Sequence, residues 1–207
     1  MSVQGRFLRT YAVSTLIAVS LTVPAAAQIG SSNALSGIRI GNFGQISGTY
    51  YRGAQPSGRD YTDLAALGVK MVIDLQQDGL AGEAGLVRKA GMKFYRIPMT
   101  THVPPTTAQL EQFLTLVNDP ANQPVFVHCA GGRHRTGIMT ALYRMTDTGW
   151  TADQAFREMK HYNFGPDFLH PEFKSFVFAY RPQPRSTLDS QPLASATFDP
   201  KREQSAH

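Results

Sequence analysis

A chain of 207 residues, 42% hydrophobic and 17% charged, has the make-up of one packed globular domain with short additions. Its formal net charge of +5 is too small for a dedicated nucleic-acid binder, and no basic run carries interleaved aromatics. The charge favours anionic ligands only mildly.

Residues 1–27 read as a secretory signal peptide. Arg6 and Arg9 supply the charged start, Tyr11 to Val23 the apolar stretch, and Pro24-Ala25-Ala26-Ala27 the small residues that precede a cut before Gln28. The apolar stretch is shorter than the roughly 20 residues a spanning helix needs. The expectation is therefore an exported protein, periplasmic or secreted, with no stable membrane insertion. The chain has one cysteine, Cys129, so no internal disulfide can form. In an oxidising compartment a lone thiol is open to oxidation and cross-linking. Its presence is easiest to explain if the thiol does a job; the alternative is a buried structural cysteine.

Residues 28–48 form an N-terminal lead-in, loose over the Ser/Gly/Asn-rich 28–37. Ile38-Arg39-Ile40 and Thr49-Tyr50-Tyr51-Arg52 are predicted strands around a turn at Gly41–Gly44, and the domain proper is placed at 49–180. Ser57 and Asp60 open a helix whose Tyr61, Leu64, Ala65 and Leu67 share a face, with Gly68 as its stop. Val69 to Leu75 is an apolar run suited to a strand covered on both faces. A turn at Asp78–Gly82 leads to a short helix through Leu86, Val87 and Ala90. Lys93 to Ile97 is a strand expected to stop at Pro98. Thr106 and Gln109 make a capping box for a helix burying Leu110, Phe113, Leu114 and Val117. Val125 to Cys129 is a central strand. A helix follows the Gly-rich turn, a second is capped by Thr151 and Gln154, and a third runs from Pro171 to Tyr180. Residues 181–207, with four prolines and few apolar side chains, are predicted to be a disordered tail. Alternating strands and helices give an α/β fold, a mostly parallel central sheet flanked by helices. Ligands of such sheets bind beyond the carboxyl ends of the strands, where His128 and Cys129 fall.

The chemistry concentrates in His128-Cys129-Ala130-Gly131-Gly132-Arg133-His134-Arg135-Thr136-Gly137. Peptide N–H groups at a helix N-terminus bind a phosphate dianion well, because they carry the positive end of the helix dipole. Gly131 and Gly132 let the loop curl with its N–H groups inward, so Ala130 to Arg135 are the expected phosphate-binding residues. Arg135 can grip two phosphate oxygens through its planar fork. The same positive field favours the thiolate form of Cys129, an in-line nucleophile that would pass through a phosphocysteine intermediate. Thr136 can hydrogen-bond the sulfur, and His128 is expected to support the loop from behind through a ring N–H to backbone. Arg133 and His134 add positive charge near the pocket mouth, which suits multiply phosphorylated substrates. A metal reading of His128, Cys129 and His134 fits poorly, since these ligands are adjacent or separated only by the turn.

His128-Cys129 followed by Arg135-Thr136-Gly137 resembles the signature loop of cysteine-dependent tyrosine and dual-specificity phosphatases. The stretch from Asn122-Gln123-Pro124 to Gly137 is most similar to the plant-and-fungal-type atypical dual-specificity phosphatases. A weaker similarity runs from about Tyr50 to Tyr180 and includes Tyr51-Arg52-Gly53-Ala54-Gln55-Pro56 and Trp150 to Phe164. The resemblance implies a phosphotyrosine-phosphatase-like fold, Cys129 as nucleophile, Arg135 as phosphate clamp, and no metal cofactor. The substrate it implies is a phosphorylated protein or an inositol phosphate or pyrophosphate.

One departure stands out. Most of that superfamily supplies an aspartate general acid from a mobile loop. Here the loop after the Lys93–Ile97 strand, Met99-Thr100-Thr101-His102-Val103-Pro104-Pro105, holds no carboxylate. Candidates are His102 in that loop, or Asp78 or Glu83 from the preceding turn. A weak acid would favour good leaving groups, so aryl phosphates and phosphoanhydrides should turn over well above phosphoserine. A phosphate-binding module without turnover is the alternative reading. Sulfur transfer would not need Arg135-Thr136-Gly137, and arsenate reduction usually needs further cysteines.

Overall fold

A computed structural model describes residue 35 and residues 37–182. The leader expected over 1–27 and most of the tail expected over 181–207 lie outside the described residues.

Five strands form one sheet in the order β1-β2-β5-β3-β4: β1 (Gly44–Ser47), β2 (Tyr50–Ala54), β3 (Met71–Gln76), β4 (Lys93–Met99) and β5 (Val125–Cys129). Only β1 runs antiparallel; the pairs β2–β5, β5–β3 and β3–β4 are parallel. β3 and β5 are buried along their whole length, as apolar runs in the middle of a two-faced sheet must be. Side chains alternate between two cores. Met71, Ile73, Val125 and Val127 face one cluster, and Val72 and Phe126 face the other. The second cluster is closed by Tyr61 and Leu64 of α1 (Asp60–Ala66) and Val87 of α2 (Glu83–Lys89). The first is closed by α3 (Thr107–Asn118), α4 (Arg135–Asp147), α5 (Ala152–His161) and α6 (Pro171–Ala179).

Local signals set the helix ends. Thr106 and Gln109 form a reciprocal capping box at α3, as do Thr151 and Gln154 at α5. The α3 stripe Leu110, Phe113, Leu114 and Val117 is buried as its spacing predicts, each side chain contributing about 1.5–3 kcal/mol. Among the described residues, no helix is long and apolar enough to cross a membrane.

Two expectations are corrected. Ile38–Ile40 is not a strand; the hairpin partner of β2 is Gly44–Ser47, inside the segment expected as lead-in. Ile40 is buried by packing in the second cluster, and the chain there touches β2 through one bond, Ala54 N–H to the Gly41 carbonyl at 2.8 Å. Pro98 does not stop β4, which continues to Met99. β4 is an edge strand, where a missing N–H breaks no ladder bond. The carboxyl ends of β2, β3, β4 and β5 all reach one side of the sheet, and the Gly-rich loop leaves from there.

Candidate active site

Cys129 ends β5, opposite Ala54 of β2, and is 3% exposed. The chain then bends through Ala130–His134 and enters α4 at Arg135. Three carbonyls of the bend are held from outside. The Ala130 carbonyl accepts from Gln55 N–H at 3.2 Å. The Gly131 and Gly132 carbonyls accept from Asn42 Nδ2 at 3.5 and 2.8 Å, and the Gly132 carbonyl also accepts from Arg52 Nη2. In a trans peptide the N–H points opposite the C=O. Carbonyls fixed outward therefore turn the N–H groups of Gly131, Gly132 and Arg133 inward, next to the start of α4 and its dipole.

The two glycines are not equivalent. Gly132 has φ +63°, and a Cβ there would lie 2.4 Å from the Gly53 carbonyl carbon. Gly131 has no such φ, and an added Cβ would meet nothing closer than Arg133 Cδ and Cγ at 3.6 Å. The curl thus rests on Gly132, which backs directly onto β2.

Arg135 is 6% exposed. Its Nη1 donates to the Met99 carbonyl at 3.1 Å, and its Nε has no hydrogen-bond partner among the described residues. Thr136 Oγ1 is likewise buried and without a partner. Buried polar groups are paired in the great majority of cases. Two donors left unpaired at the start of α4 suit a bound oxyanion.

Of the acid candidates, only Asp78 reaches this arginine: its Oδ1 is 3.7 Å from Arg135 Nη1, and its side chain is 90% exposed. The turn carrying it is pinned on both sides. Gln77 N–H donates to the Met99 carbonyl at 3.2 Å, and Arg96 Nη2 donates to the Leu80 carbonyl at 3.2 Å. His102 is drawn elsewhere, with its Nδ1 3.8 Å from Glu172 Oε1 and its ring stacked on His170. Glu83 is fully buried and turned away from solvent. It accepts from Gln55 Nε2 at 2.6 Å and from the Tyr61 hydroxyl at 3.1 Å. Burial works to raise its carboxyl, but His128, Gln55 and Tyr61 outweigh this and hold it below the ordinary range. A carboxyl kept ionised in this way is no proton donor.

His128 differs from the expectation too. Its ring meets carboxylates, not backbone: Nε2 is 3.1 Å from Glu83 Oε1, and Nδ1 is 3.9 Å from Asp74 Oδ1. Asp74 is itself tied to Gln76 N–H at 2.9 Å and Arg96 Nε at 2.7 Å. Two buried acids therefore flank the residue before the sulfur, Glu83 at contact distance and Asp74 beyond hydrogen-bond range. His134 does not face the mouth with its ring; Nε2 lies 3.0 Å from the Phe164 carbonyl. Burial, then His170, lower its tendency to protonate. Arg133 is exposed at the loop.

The family model described as a DSP-PTPase phosphatase fused to NAD+ kinase matches residues 42–174. The chain belongs to this phosphatase family. Among curated relatives, the dual specificity protein phosphatase TpbA of Pseudomonas aeruginosa is 29% identical over 126 residues, which is 61% of this chain and 56% of TpbA. The inositol diphosphatase SIW14 of Saccharomyces cerevisiae is 28% identical over 129 residues, 59% of this chain and 46% of SIW14. The chain thus spans about half the length of the curated relatives it matches. The crystal structure of the SIW14 core catalytic domain with citrate superposes with a TM-score of 0.62 at 26% identity, covering 70% of this chain and 88% of that one. The phosphatase fold expected from the sequence is the fold observed.

Sequence reasoning assigned no role to the phosphatase loop's outer supports, Asn42, Arg52 and Gln55. Arg52 is fully buried, with its guanidinium 4.0 Å over the Tyr162 ring. The run Tyr51-Arg52-Gly53-Ala54-Gln55-Pro56 was the available signal: an arginine next to a glycine, near the end of a strand pairing with the cysteine strand.

Proposed function

We propose that this chain is a cysteine-dependent phosphatase acting on aryl phosphates and phosphoanhydrides, with phosphotyrosine proteins or inositol pyrophosphates as substrate class. The observation that carries this reading is the outward tethering of the Ala130, Gly131 and Gly132 carbonyls. It supports a ring of inward N–H groups above Cys129, closed by the buried Arg135. In the proposed reaction the Cys129 thiolate attacks phosphorus, an S–P bond forms, and the bond to the leaving oxygen breaks. Asp78 protonates that oxygen, and its place beside Arg135 favours it over His102. Water then attacks phosphorus as the Asp78 carboxylate takes its proton, the S–P bond breaks, and inorganic phosphate leaves with the thiolate and the Asp78 acid restored. Arg135 and Thr136 donate to the phosphoryl oxygens and to the departing sulfur. Export to the periplasm or beyond is part of the proposal and is supported by the pattern of residues 1–27.

The names of TpbA and SIW14 support both substrate classes. The test is turnover of a chromogenic aryl phosphate, a phosphoserine peptide and an inositol pyrophosphate by wild type, Cys129→Ser and Arg135→Ala. Two charge-assisted hydrogen bonds lost with Arg135 amount to about 3–6 kcal/mol, a fall of roughly 10²–10⁴ in kcat/KM. Wild-type turnover abolished in Cys129→Ser, with phosphoserine the poorest substrate, is the expected result. Binding of a phosphate analogue without turnover would replace the enzyme by a phosphate-binding module.

A further inference from the structure

Three side chains from two segments distant in sequence meet beside the phosphate loop. His102 lies in the loop after β4, His170 immediately precedes α6, and Glu172 stands in its first turn. His170 Nδ1 is 3.3 Å from Glu172 Oε1, and His102 Nδ1 is 3.8 Å from the same oxygen. One ligand atom from each of the three lies within 4.8 Å of the others. Zinc–nitrogen and zinc–oxygen bonds of about 2.0–2.2 Å in a tetrahedron set ligand atoms roughly 3.3–3.5 Å apart. The His170–Glu172 pair already has that spacing. The exposed His102, on a loop, needs to close by a few tenths of an ångström toward Glu172 and to turn its ring, now stacked on that of His170 at 5.1 Å, so that both imidazoles converge on one point.

We propose that His102, His170 and Glu172 bind a divalent transition metal ion, with zinc the best fit. Two imidazoles and one carboxylate are a borderline-soft set that suits zinc and is wrong for calcium or magnesium, which require oxygen ligands in larger number. The fourth position is open to solvent on the His102 side. The His170 ring is held for this task. It is 7% exposed and stacked against Phe173 at 5.8 Å, with the His134 ring centroid at 3.8 Å. Metal ligands depend on such surroundings for orientation. The site joins the loop after β4, whose last residue, Met99, accepts from Arg135, to the start of α6. It does not include Cys129 and does not depend on the chain being a phosphatase.

The test is zinc titration of the full chain by calorimetry and by competition with a chromogenic chelator. The proteins are wild type, Cys129→Ser, His102→Ala and Glu172→Gln, with calcium and magnesium as comparison ions. Wild type and Cys129→Ser should each bind one equivalent of zinc. Affinity should fall at least tenfold in both His102→Ala and Glu172→Gln, and calcium and magnesium should not compete. His102 is exposed, so its replacement leaves the fold intact. No stoichiometric zinc in wild type would overturn the proposal. So would loss of zinc in Cys129→Ser, which would put the ion on the sulfur, or equal affinity in wild type and the two ligand variants.

Discussion

Replacing Gly132 by alanine tests whether the loop is shaped by its contact with β2. At φ +63° an L side chain costs about 1–2 kcal/mol. The new Cβ would also stand 2.4 Å from the Gly53 carbonyl carbon, 2.5 Å from its oxygen and 2.7 Å from Ala54 N. All three are backbone atoms of a sheet strand and cannot step aside as a side chain could. Overpacking of this kind adds about 1–3 kcal/mol. The sum, about 2–5 kcal/mol, corresponds to a fall in Tm of roughly 6–25 °C for a domain of this size. If the loop moves to relieve the clash, the Gly132 carbonyl leaves Arg52 and Asn42, and kcat/KM on an aryl phosphate falls instead. Gly131→Ala is the control, because its Cβ meets nothing closer than 3.6 Å; it should stay within about 0.5 kcal/mol of wild type. Thermal melts and aryl-phosphate kinetics on the pair decide. Equal behaviour of the two variants, or Gly132→Ala with wild-type Tm and kcat/KM, would refute the reasoning.

Three further expectations rest on the same site. Arg52→Met loses a charge-assisted bond to the Gly132 carbonyl, about 1.5–3 kcal/mol; kcat/KM should drop roughly 10–100-fold, and an unchanged value would deny Arg52 its positioning role. Asp78→Asn should slow aryl phosphates with poor leaving groups about 10²–10⁴-fold while sparing activated ones, read as a steeper dependence of rate on leaving-group basicity; a parallel loss across the series would remove Asp78 as the acid. Glu83→Gln puts a neutral amide where a carboxylate accepts from Gln55 and Tyr61 beside the His128 ring, and should destabilise the fold by about 1–3 kcal/mol at neutral pH. The wild-type Glu83 carboxyl titrates lower in the fold than in the unfolded chain. Between those two values the unfolded state binds more protons, so stability present above about pH 4.3 is lost as pH falls. Glu83→Gln should flatten that acid limb in melts recorded across pH 3–6.

What could be read from the sequence was local. Cys129, the bend and Arg135 lie within one strand–turn–helix, and the capping boxes at Thr106 and Thr151 span four residues each. Their physics is complete within a few neighbours. What could not be read depends on which strands are adjacent. Pro98 is harmless only because β4 is an edge. Ile40 is apolar because it packs beneath Gly53, not because it pairs. Glu83 stood in the sequence as a candidate acid from a polar turn, yet the helix after β3 sets it against His128, 45 positions onward. Asn42 and Arg52 hold the loop across some 80–90 residues of chain, a separation no periodicity reveals.

The two borders of the sheet carry a last consequence. β1 has four residues with an irregular register between Gln45 and Ser47, and β4 carries Pro98 and an exposed Lys93. A short, kinked border on one side and a border lacking a donor on the other give an incoming strand little to zip onto. Copies of this protein held at high concentration are thereby discouraged from growing into a continuous ribbon.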